Sequence, residues 1–527
     1  MTDETHGRAG RREWVGLSVL ALACIVYSMD LTVLHLAVPS LSADLKPSSA
    51  QLLWIVDIYG FMVAGALITM GTLGDRIGRR RLLLIGAAAF GAASLLAAFS
   101  TSAEMLIASR ALLGIAGATI APSTLSLIRN MFHDPDQRTF AIGVWITSYS
   151  LGGALGPLLG GALLEFFWWG SVFLLAIPVM ALLLVIGPIL LPEFRDPDAG
   201  RLDLVSAALS LVAVLAVVYG LKQIAQDGLV WQAVVAIVAG IVIGWAFVRR
   251  QRTLADPLID LRLFRSRAFS ASLAVYTLGI LVLFGAFLFL FQYLQLVLDL
   301  SPFRAGLWTL PSFGSFIVGS MLAPALVRRV RASYVMAGGL AIGAVGFGIF
   351  AQADGDSGLA YLVAGSVVFS LGLAPLFTLT NDFILAAAPP ERAGAASAIS
   401  ETGAELGGAL SIAILGTLGT AVYRHQIAEE IPAGVPAEQA DTARDTLGGA
   451  VAVGRELDSP FSGQLLDAAR DAFALGLQAA ALASAVVAAV AAVLAAVLLR
   501  NVRRDAGEEV SRDLEAGEAP IPAVEQE

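Results

Sequence analysis

Fourteen long apolar stretches constrain the fold of this 527-residue chain more than any other feature of its sequence. A helix that crosses the hydrocarbon core of a membrane needs about 20 predominantly apolar residues, each rising about 1.5 Å. Charged residues make up only 14% of the chain, whereas soluble domains carry about 25%, so most of the surface must face lipid. The sequence therefore predicts an all-α protein that crosses a membrane many times. The candidate spans are residues 15–38, 51–72, 82–99, 104–128, 139–162, 170–191, 204–221, 229–248, 269–296, 305–327, 333–351, 359–381, 395–422 and 473–499.

The rare residue types exclude several kinds of chemistry. A single cysteine, Cys24, permits no internal disulfide, and four scattered histidines with one thiol disfavour a zinc or iron centre. The two lysines, Lys46 and Lys222, do not follow a glycine, so the chain has no Walker A motif for ATP. We therefore expect no metal, no cofactor, no nucleic acid and an energy source other than ATP.

Arginines are distributed unevenly between the loops that join the predicted spans. With the N-terminus in the cytoplasm, most of them fall in cytoplasmic segments, among them Arg76, Arg249 and Arg328. This asymmetry follows the positive-inside rule and requires an even number of spans. The first span contains Asp30 and has no small-residue cleavage site after it, so we expect a retained helix and not a signal peptide. Both termini are predicted to be cytoplasmic.

The spans form two groups of six with an inserted pair between them. Removing spans seven and eight leaves six plus six, as expected of two parallel repeats. Residues 423–472 are predicted to form an extracellular loop, with a short amphipathic hairpin as an alternative. The predicted domains are a cytoplasmic tail at 1–14, an N-terminal six-helix bundle at 15–191, the inserted pair with its linkers at 192–268, a C-terminal six-helix bundle at 269–499 and a disordered acidic cytoplasmic tail at 500–527.

A motif rich in glycine and arginine follows the second span. Gly71 and Gly78 permit a tight turn between helices next to the basic residues Arg76 and Arg79, and Asp75 can pair with a neighbouring arginine or cap a helix. The run that starts at Gly71 reads GTLGDRIGRRR, which matches the signature G-x-L-[AG]-D-R-x-G-R-[KR] of the major facilitator superfamily. The chain resembles that superfamily of membrane transporters, which implies two six-helix halves that rock about a central cavity.

The fifth span contains a second motif, formed by Gly152, Gly156, Pro157, Gly160 and Gly161. Glycines let neighbouring helices approach closely, and proline frees a carbonyl and bends the helix. Such a motif could serve packing in any helical bundle. The pattern G-x-x-x-G-P-x-x-G-G at this place resembles the signature of the superfamily's drug:proton antiporters, which implies an exporter.

Segments along nearly the whole chain resemble the fourteen-helix drug:proton antiporter family, including Trp54–Tyr59 and Pro257–Leu261. Within it, Asp57 and the run ETGAELGG from Glu401 resemble the branch that exports quaternary ammonium compounds and other lipophilic cations. The resemblance implies a monomeric, multi-pass protein of a bacterial cytoplasmic membrane, driven by the proton gradient. The span at 305–327 departs from the staphylococcal type because it lacks a carboxylate, which leaves the handling of dications open.

Three charged residues fall inside predicted spans at a similar depth: Asp30, Asp57 and Arg110. Charged groups at this depth are costly unless they pair or line a cavity. Asp30 and Arg110 could therefore meet, either as a fixed pair that orders the bundle or as part of proton coupling. The segment around Arg110 is similar to the family's fourth-span motif, whose arginine is implicated in proton coupling. We expect Asp30, Arg110 and Glu405 to carry the coupling.

Glu401 and Glu405 are four residues apart and share one face of span thirteen. Two carboxylates in a cavity of low dielectric constant oppose each other's ionisation, so one can bind either a proton or an organic cation. Aromatic rings would line such a cavity, because cations bind over ring faces. The predicted substrate-binding residues are Asp57, Glu401, Glu405, Trp54, Tyr59, Trp145, Tyr149, Tyr293 and Phe377.

These patterns predict a secondary transporter and not an enzyme, with lipophilic cations, protons and membrane lipids as its partners. The sequence contains no constellation of nucleophile and base. One alternative is an exporter, on the same fold, of a lipid, metabolite or antibiotic made by the cell itself. Another is a membrane receptor or assembly factor that transports nothing and would tolerate loss of the acids within its spans.

Overall fold

The computed structural model describes residues 9–45, 47, 49–195, 203–227, 230–254, 257–259, 261–353, 358–388, 393–432, 435–457 and 460–500. The regular elements within these ranges are all helices. Thirteen of them are long and apolar enough to cross a membrane, and Val205–Leu221 is a shorter apolar helix. Together they correspond to the fourteen predicted spans, so the predicted all-α membrane fold is confirmed.

The first six spans form what we call the N-half. Spans four and six are each broken into two helices, and Ala118 and Thr119 separate the two parts of span four. Polar side chains cap several starts: Ser102 accepts from the Met105 amide at 3.2 Å and Asp134 from the Gln137 amide at 2.8 Å. The helices are α1 Arg11–Leu45, α2 Ser49–Ile77, α3 Arg79–Ala98, α4 Ala103–Gly117, α5 Ile120–Met131, α6 Pro135–Phe166, α7 Ser171–Leu174 and α8 Ala176–Leu190.

The inserted pair consists of α9, Leu204–Asp227, and α10, Trp231–Gln251, which pack closely on each other. A methyl group at Gly240 would lie only 2.9 Å from a carbonyl oxygen of α9, so only glycine allows this approach. α9 also packs against α2, which attaches the pair to the N-half. A 3₁₀ turn at Leu261–Arg265 leads from the pair to the remaining spans.

The last six spans form what we call the C-half. Residues 423–472 are largely helical: α16 and α19 extend into this segment, and α17 and α18 form a short hairpin. The Tyr423 hydroxyl of α16 donates to the Ala443 carbonyl of α17 at 2.7 Å. The elements are α11 Arg267–Gln292, a π-turn Tyr293–Val297, α12 Pro302–Val327, α13 Ala332–Phe350, α14 Gly358–Ala386, α15 Ala393–Ser411, a π-turn Ile412–Gly416, α16 Thr417–Glu430, α17 Ala437–Asp445, α18 Leu447–Glu456 and α19 Phe461–Leu498.

The halves are joined at the end of the bundle where Arg79, Arg129, Arg138 and Arg328 lie, which we call the arginine-rich end. The carboxylate of Asp382 bonds Arg138 at 3.1 Å and also accepts from the Thr139 hydroxyl at 3.0 Å. Arg129 donates to the carbonyl of Leu385, and Arg328 lies 3.5 Å from Asp136. The two halves are therefore closed against each other at this end.

The linker after α10 reinforces this closure. Leu258 and Ile259 are buried in an apolar cluster with Ile68 of α2 and Ile384 of α14, so the linker contacts both halves. The Thr72 hydroxyl of α2 also contacts the Leu258 carbonyl at 3.1 Å. The linker therefore packs across the boundary between the halves at the arginine-rich end.

Candidate functional site

Asp30 of α1 and Arg110 of α4 form a buried ion pair, with Nη1 of the arginine 2.6 Å from Oδ2 of the aspartate. Nε of Arg110 donates to the carbonyl of Ile55 in α2 at 3.2 Å, and the Tyr59 ring lies 4.7 Å from the guanidinium carbon. One arginine thus ties three helices together. The two residues meet as their similar depth predicts, and their role in proton coupling stays a prediction.

Glu401 and Glu405 lie one turn apart on α15, and both are half-buried. Gly403 follows Glu401 by two residues, and Gly407 follows Glu405 by two, which places both glycines on the opposite side of the helix. There they contact Thr277 of α11. The glutamates therefore lie on the side of α15 opposite these two glycines. Oε1 of Glu401 is buried and makes no hydrogen bond within the described part of the chain.

Two tyrosines of the N-half lie near these glutamates. Tyr27 of α1 interacts electrostatically with both Glu401 and Glu405, and Tyr149 of α6 interacts with Glu401. The two tyrosine rings touch edge to face, with centroids 5.8 Å apart, and Tyr149 also meets Trp145 at 4.8 Å. Acids of one half thus lie near an aromatic cluster of the other.

Other aromatic residues predicted to line the cavity lie in different surroundings. Phe377 packs on Tyr276 of α11 at 5.6 Å, near Glu401. Trp54 is 42% exposed and contacts Phe61. Tyr293 is buried in the π-turn that ends α11, beside Gly358 at the start of α14. The side chain of Asp57 lies outside the described residues, although its backbone continues α2.

The motif between α2 and α3 links the halves at the arginine-rich end. Asp75 pairs with the fully buried Arg79, and its other oxygen accepts from the Ala395 amide of α15 at 3.2 Å. Gly78 has φ of 111°, which L side chains rarely adopt, so the turn requires glycine. Gly71 is buried within α2, and Arg76 is partly exposed in its last turn. The motif therefore joins α2 to α15.

The glycine motif of α6 faces α1. A methyl group at Gly152 would lie 2.9 Å from Cβ of Ser28, and one at Gly156 would lie 3.2 Å from the Met29 carbonyl. Gly160 packs on α1 as well, whereas Gly161 has open space around it. The side chain of Pro157 lies outside the described residues. The motif thus sets the distance between α6 and the helix that carries Asp30.

Sequence reasoning missed Tyr27 and the pair of Asp382 with Arg138. Tyr27 precedes Asp30 by three residues, and this helical spacing places the two on one face, a signal that could have found it. Asp382 is buried and paired across the halves. Its partner is distant in sequence, so no local pattern reveals it.

The fold and site define a class of protein, a multi-pass membrane transporter. Residues 20–412 match the model of the Major Facilitator Superfamily, and the chain belongs to that family. Within the described ranges, no group of three or more histidine, cysteine, aspartate or glutamate side chains could hold a metal ion. The superfamily recognised in the sequence is therefore confirmed.

Curated relatives match most of the chain. The multidrug efflux pump LfrA of Mycolicibacterium smegmatis is 46% identical over 475 residues, which cover 90% of this chain and 94% of LfrA. The methyl viologen resistance protein SmvA of Salmonella typhimurium is 39% identical over 88% of this chain and 93% of SmvA. The tetracenomycin C resistance and export protein of Streptomyces glaucescens is 31% identical over 89% of this chain and 88% of that protein.

A solved structure has the same fold. The human organic anion transporter MFSD10 superposes with a TM-score of 0.60 at 15% identity, over 92% of this chain and 99% of that one. At this identity the likeness concerns the fold alone, and it agrees with the two-half architecture.

Proposed function

We propose that the protein is a proton-coupled multidrug efflux antiporter that exports lipophilic organic cations by alternating access. The cargo would include quaternary ammonium compounds, ethidium-like dyes and fluoroquinolone-type drugs. The observation that carries the proposal is that Glu401 and Glu405 lie near the aromatic cluster of the other half and interact electrostatically with it. Among the relatives, LfrA is named a multidrug efflux pump and SmvA is named for resistance to methyl viologen, itself an organic cation.

These side chains can perform the exchange that antiport requires. A carboxylate binds an organic cation when ionised and releases it when protonated, and neighbouring ring faces strengthen cation binding. A proton that arrives from outside would neutralise Glu405 or Asp30 and release the cation there. Following the positive-inside rule, we assign the arginine-rich end and both termini to the cytoplasm of a bacterial cell. The closed end of this structure would then be the cytoplasmic one. The proposed transporter acts as a monomer.

The charge balance decides which part of the proton gradient drives export. One monovalent cation leaving for one entering proton moves no net charge, so the pH difference alone would drive it. A second proton would add about 2.3 kcal/mol per 100 mV of membrane potential. Collapsing the pH difference and the potential separately in proteoliposomes, with nigericin and valinomycin, distinguishes the two cases.

Ethidium transport by the purified full chain in proteoliposomes tests the proposal. An imposed proton gradient should drive ethidium movement by the wild type, and Asp30→Asn and Glu405→Gln should each reduce it at least tenfold. Glu438→Gln is the matched control, because Glu438 is an exposed acid on α17. If the wild type binds ethidium but moves none, the proposal fails.

Export of a compound made by the cell itself is the second candidate. It is favoured by the similarity to the tetracenomycin C export protein along nearly the whole chain. In that case the wild type would ignore ethidium but release an endogenous compound, detected by comparing culture media of producing and deletion strains by mass spectrometry. Retained release in Glu405→Gln would indicate a neutral cargo.

A further inference from the structure

Tyr59 of α2 is 1% exposed, and its ring lies on the guanidinium of Arg110 at 4.7 Å. Arg110 is in turn paired with Asp30. Because this face of the ring is occupied by Arg110, it is not free to stack on a transported cation. The contact places Tyr59 beside the proposed coupling pair instead.

The hydroxyl of Tyr59 is buried and makes no hydrogen bond to a described residue. Burying a hydroxyl without a partner is unfavourable, whereas phenylalanine would fill the same space without that penalty. The ring contact with Arg110 therefore does not explain why the residue is a tyrosine. A role for the oxygen atom does.

The position of this hydroxyl is defined by Gly117 at the end of α4. A methyl group at Gly117 would lie 3.1 Å from the Tyr59 hydroxyl oxygen and 3.1 Å from Cε2 of Tyr27. The hydroxyl and the Tyr27 ring thus occupy space next to Gly117 that a side chain at this position would fill. The centroids of the two rings are 6.2 Å apart.

Charged groups of both halves lie near these phenols. Tyr59 interacts electrostatically with Asp30 and Arg110 of the N-half and with Glu405 of the C-half. Tyr27 interacts with Tyr59, Glu405 and Glu401. The phenols therefore lie near both the ion pair of one half and the carboxylates of the other.

We propose that the hydroxyl of Tyr59 links Asp30 to Glu405, so that the protonation of one acid is transmitted to the other across the boundary between the halves. A phenol accepts and donates a hydrogen bond at once. It can take the proton of one carboxylic acid on its oxygen while its own proton passes to the other carboxylate, and it ends unchanged. This inference rests on the proposed antiport of cations against protons.

The test is Tyr59→Phe in the full chain, reconstituted in proteoliposomes with ethidium. The variant keeps the ring on Arg110 and removes only an oxygen without a hydrogen bond, so its melting temperature should equal or exceed that of the wild type. Ethidium affinity and ethidium–ethidium exchange, which needs no net proton movement, should stay within twofold. Ethidium accumulation driven by the proton gradient should fall at least tenfold. Tyr361→Phe, at an exposed tyrosine of α14, should change nothing.

The possible results of this test separate a role of the Tyr59 hydroxyl in coupling from a role in binding or folding. Gradient-driven accumulation at the wild-type level in Tyr59→Phe overturns the inference. Loss of ethidium binding together with accumulation also overturns it, because Tyr59 would then hold the cargo or the fold. If the wild type itself transports no ethidium, the proposed function fails. If the wild type transports ethidium and Tyr59→Phe does so equally well, only the role of Tyr59 fails.

Discussion

The carboxylate of Asp382 in α14 lies 3.1 Å from Nε of Arg138 in α6, across the boundary between the two halves. The Asp382 side chain is only 2% exposed and also accepts from the Thr139 hydroxyl. The pair has to break when the halves separate at the arginine-rich end. It therefore stabilises the closed arrangement seen here.

Removing the Asp382 charge should open this end. Leaving one partner of a buried pair uncompensated costs about 3–5 kcal/mol, which the protein can avoid by separating the halves. In a Cys24→Ser background, maleimide should label Ser397→Cys, which is buried in α15, at least tenfold faster when Asp382→Asn is added. Asp441→Asn on the exposed helix α17 is the control. Unchanged labelling would show that the pair does not hold this end closed.

The glycines of α6 should differ sharply in their tolerance of a methyl group. Gly152→Ala would place Cβ 2.9 Å from Cβ of Ser28, and such overpacking typically costs about 1–3 kcal/mol. Gly161→Ala meets nothing within 4 Å and serves as the matched control. We expect a lower melting temperature and weaker efflux for Gly152→Ala alone. Equal behaviour of the two variants would contradict the assigned α1–α6 contact.

Gln251 should be needed to hold the linker after α10. Its Oε1 accepts from the Leu258 amide at 2.7 Å, and its Nε2 donates to the Ser206 hydroxyl at 2.7 Å. Gln251→Leu leaves a buried amide unsatisfied, which costs about 1–3 kcal/mol. Thermal unfolding and protease cleavage near Leu258 measure the effect. Gln352→Leu, at an exposed position in the turn after α13, is the control. Protease resistance equal to that of the wild type would refute the role of Gln251.

Asp203 should make the inserted pair sensitive to acid. The hydrogen bond from Arg250 at 2.8 Å lowers the pKa of this carboxyl below its ordinary value. A carboxyl whose pKa is lower in the folded state stabilises the fold above its unfolded pKa of about 3.9 and loses that contribution as pH falls further. The difference in melting temperature between the wild type and Asp203→Asn should therefore shrink below about pH 4. A constant difference would exclude the linkage.

The sequence was sufficient to predict how many spans exist and which charged residues share a depth. Length and apolarity determine a span, and a helix rises by a constant amount per residue. Asp30 and Arg110 could therefore be matched before any contact was known. The motif at Gly71–Arg81 likewise identified the superfamily, because its spacing is local.

Only the tertiary structure decided which side of each helix meets which neighbour. Lipid-facing and core-facing surfaces are both apolar, so hydropathy does not reveal the rotation of a helix about its axis. For this reason sequence reasoning grouped Tyr293 with Tyr59, although one lies in the π-turn after α11 and the other on Arg110. The pair of Asp382 with Arg138 depends on contacts between residues 244 positions apart, and such contacts exist only once the two halves have docked.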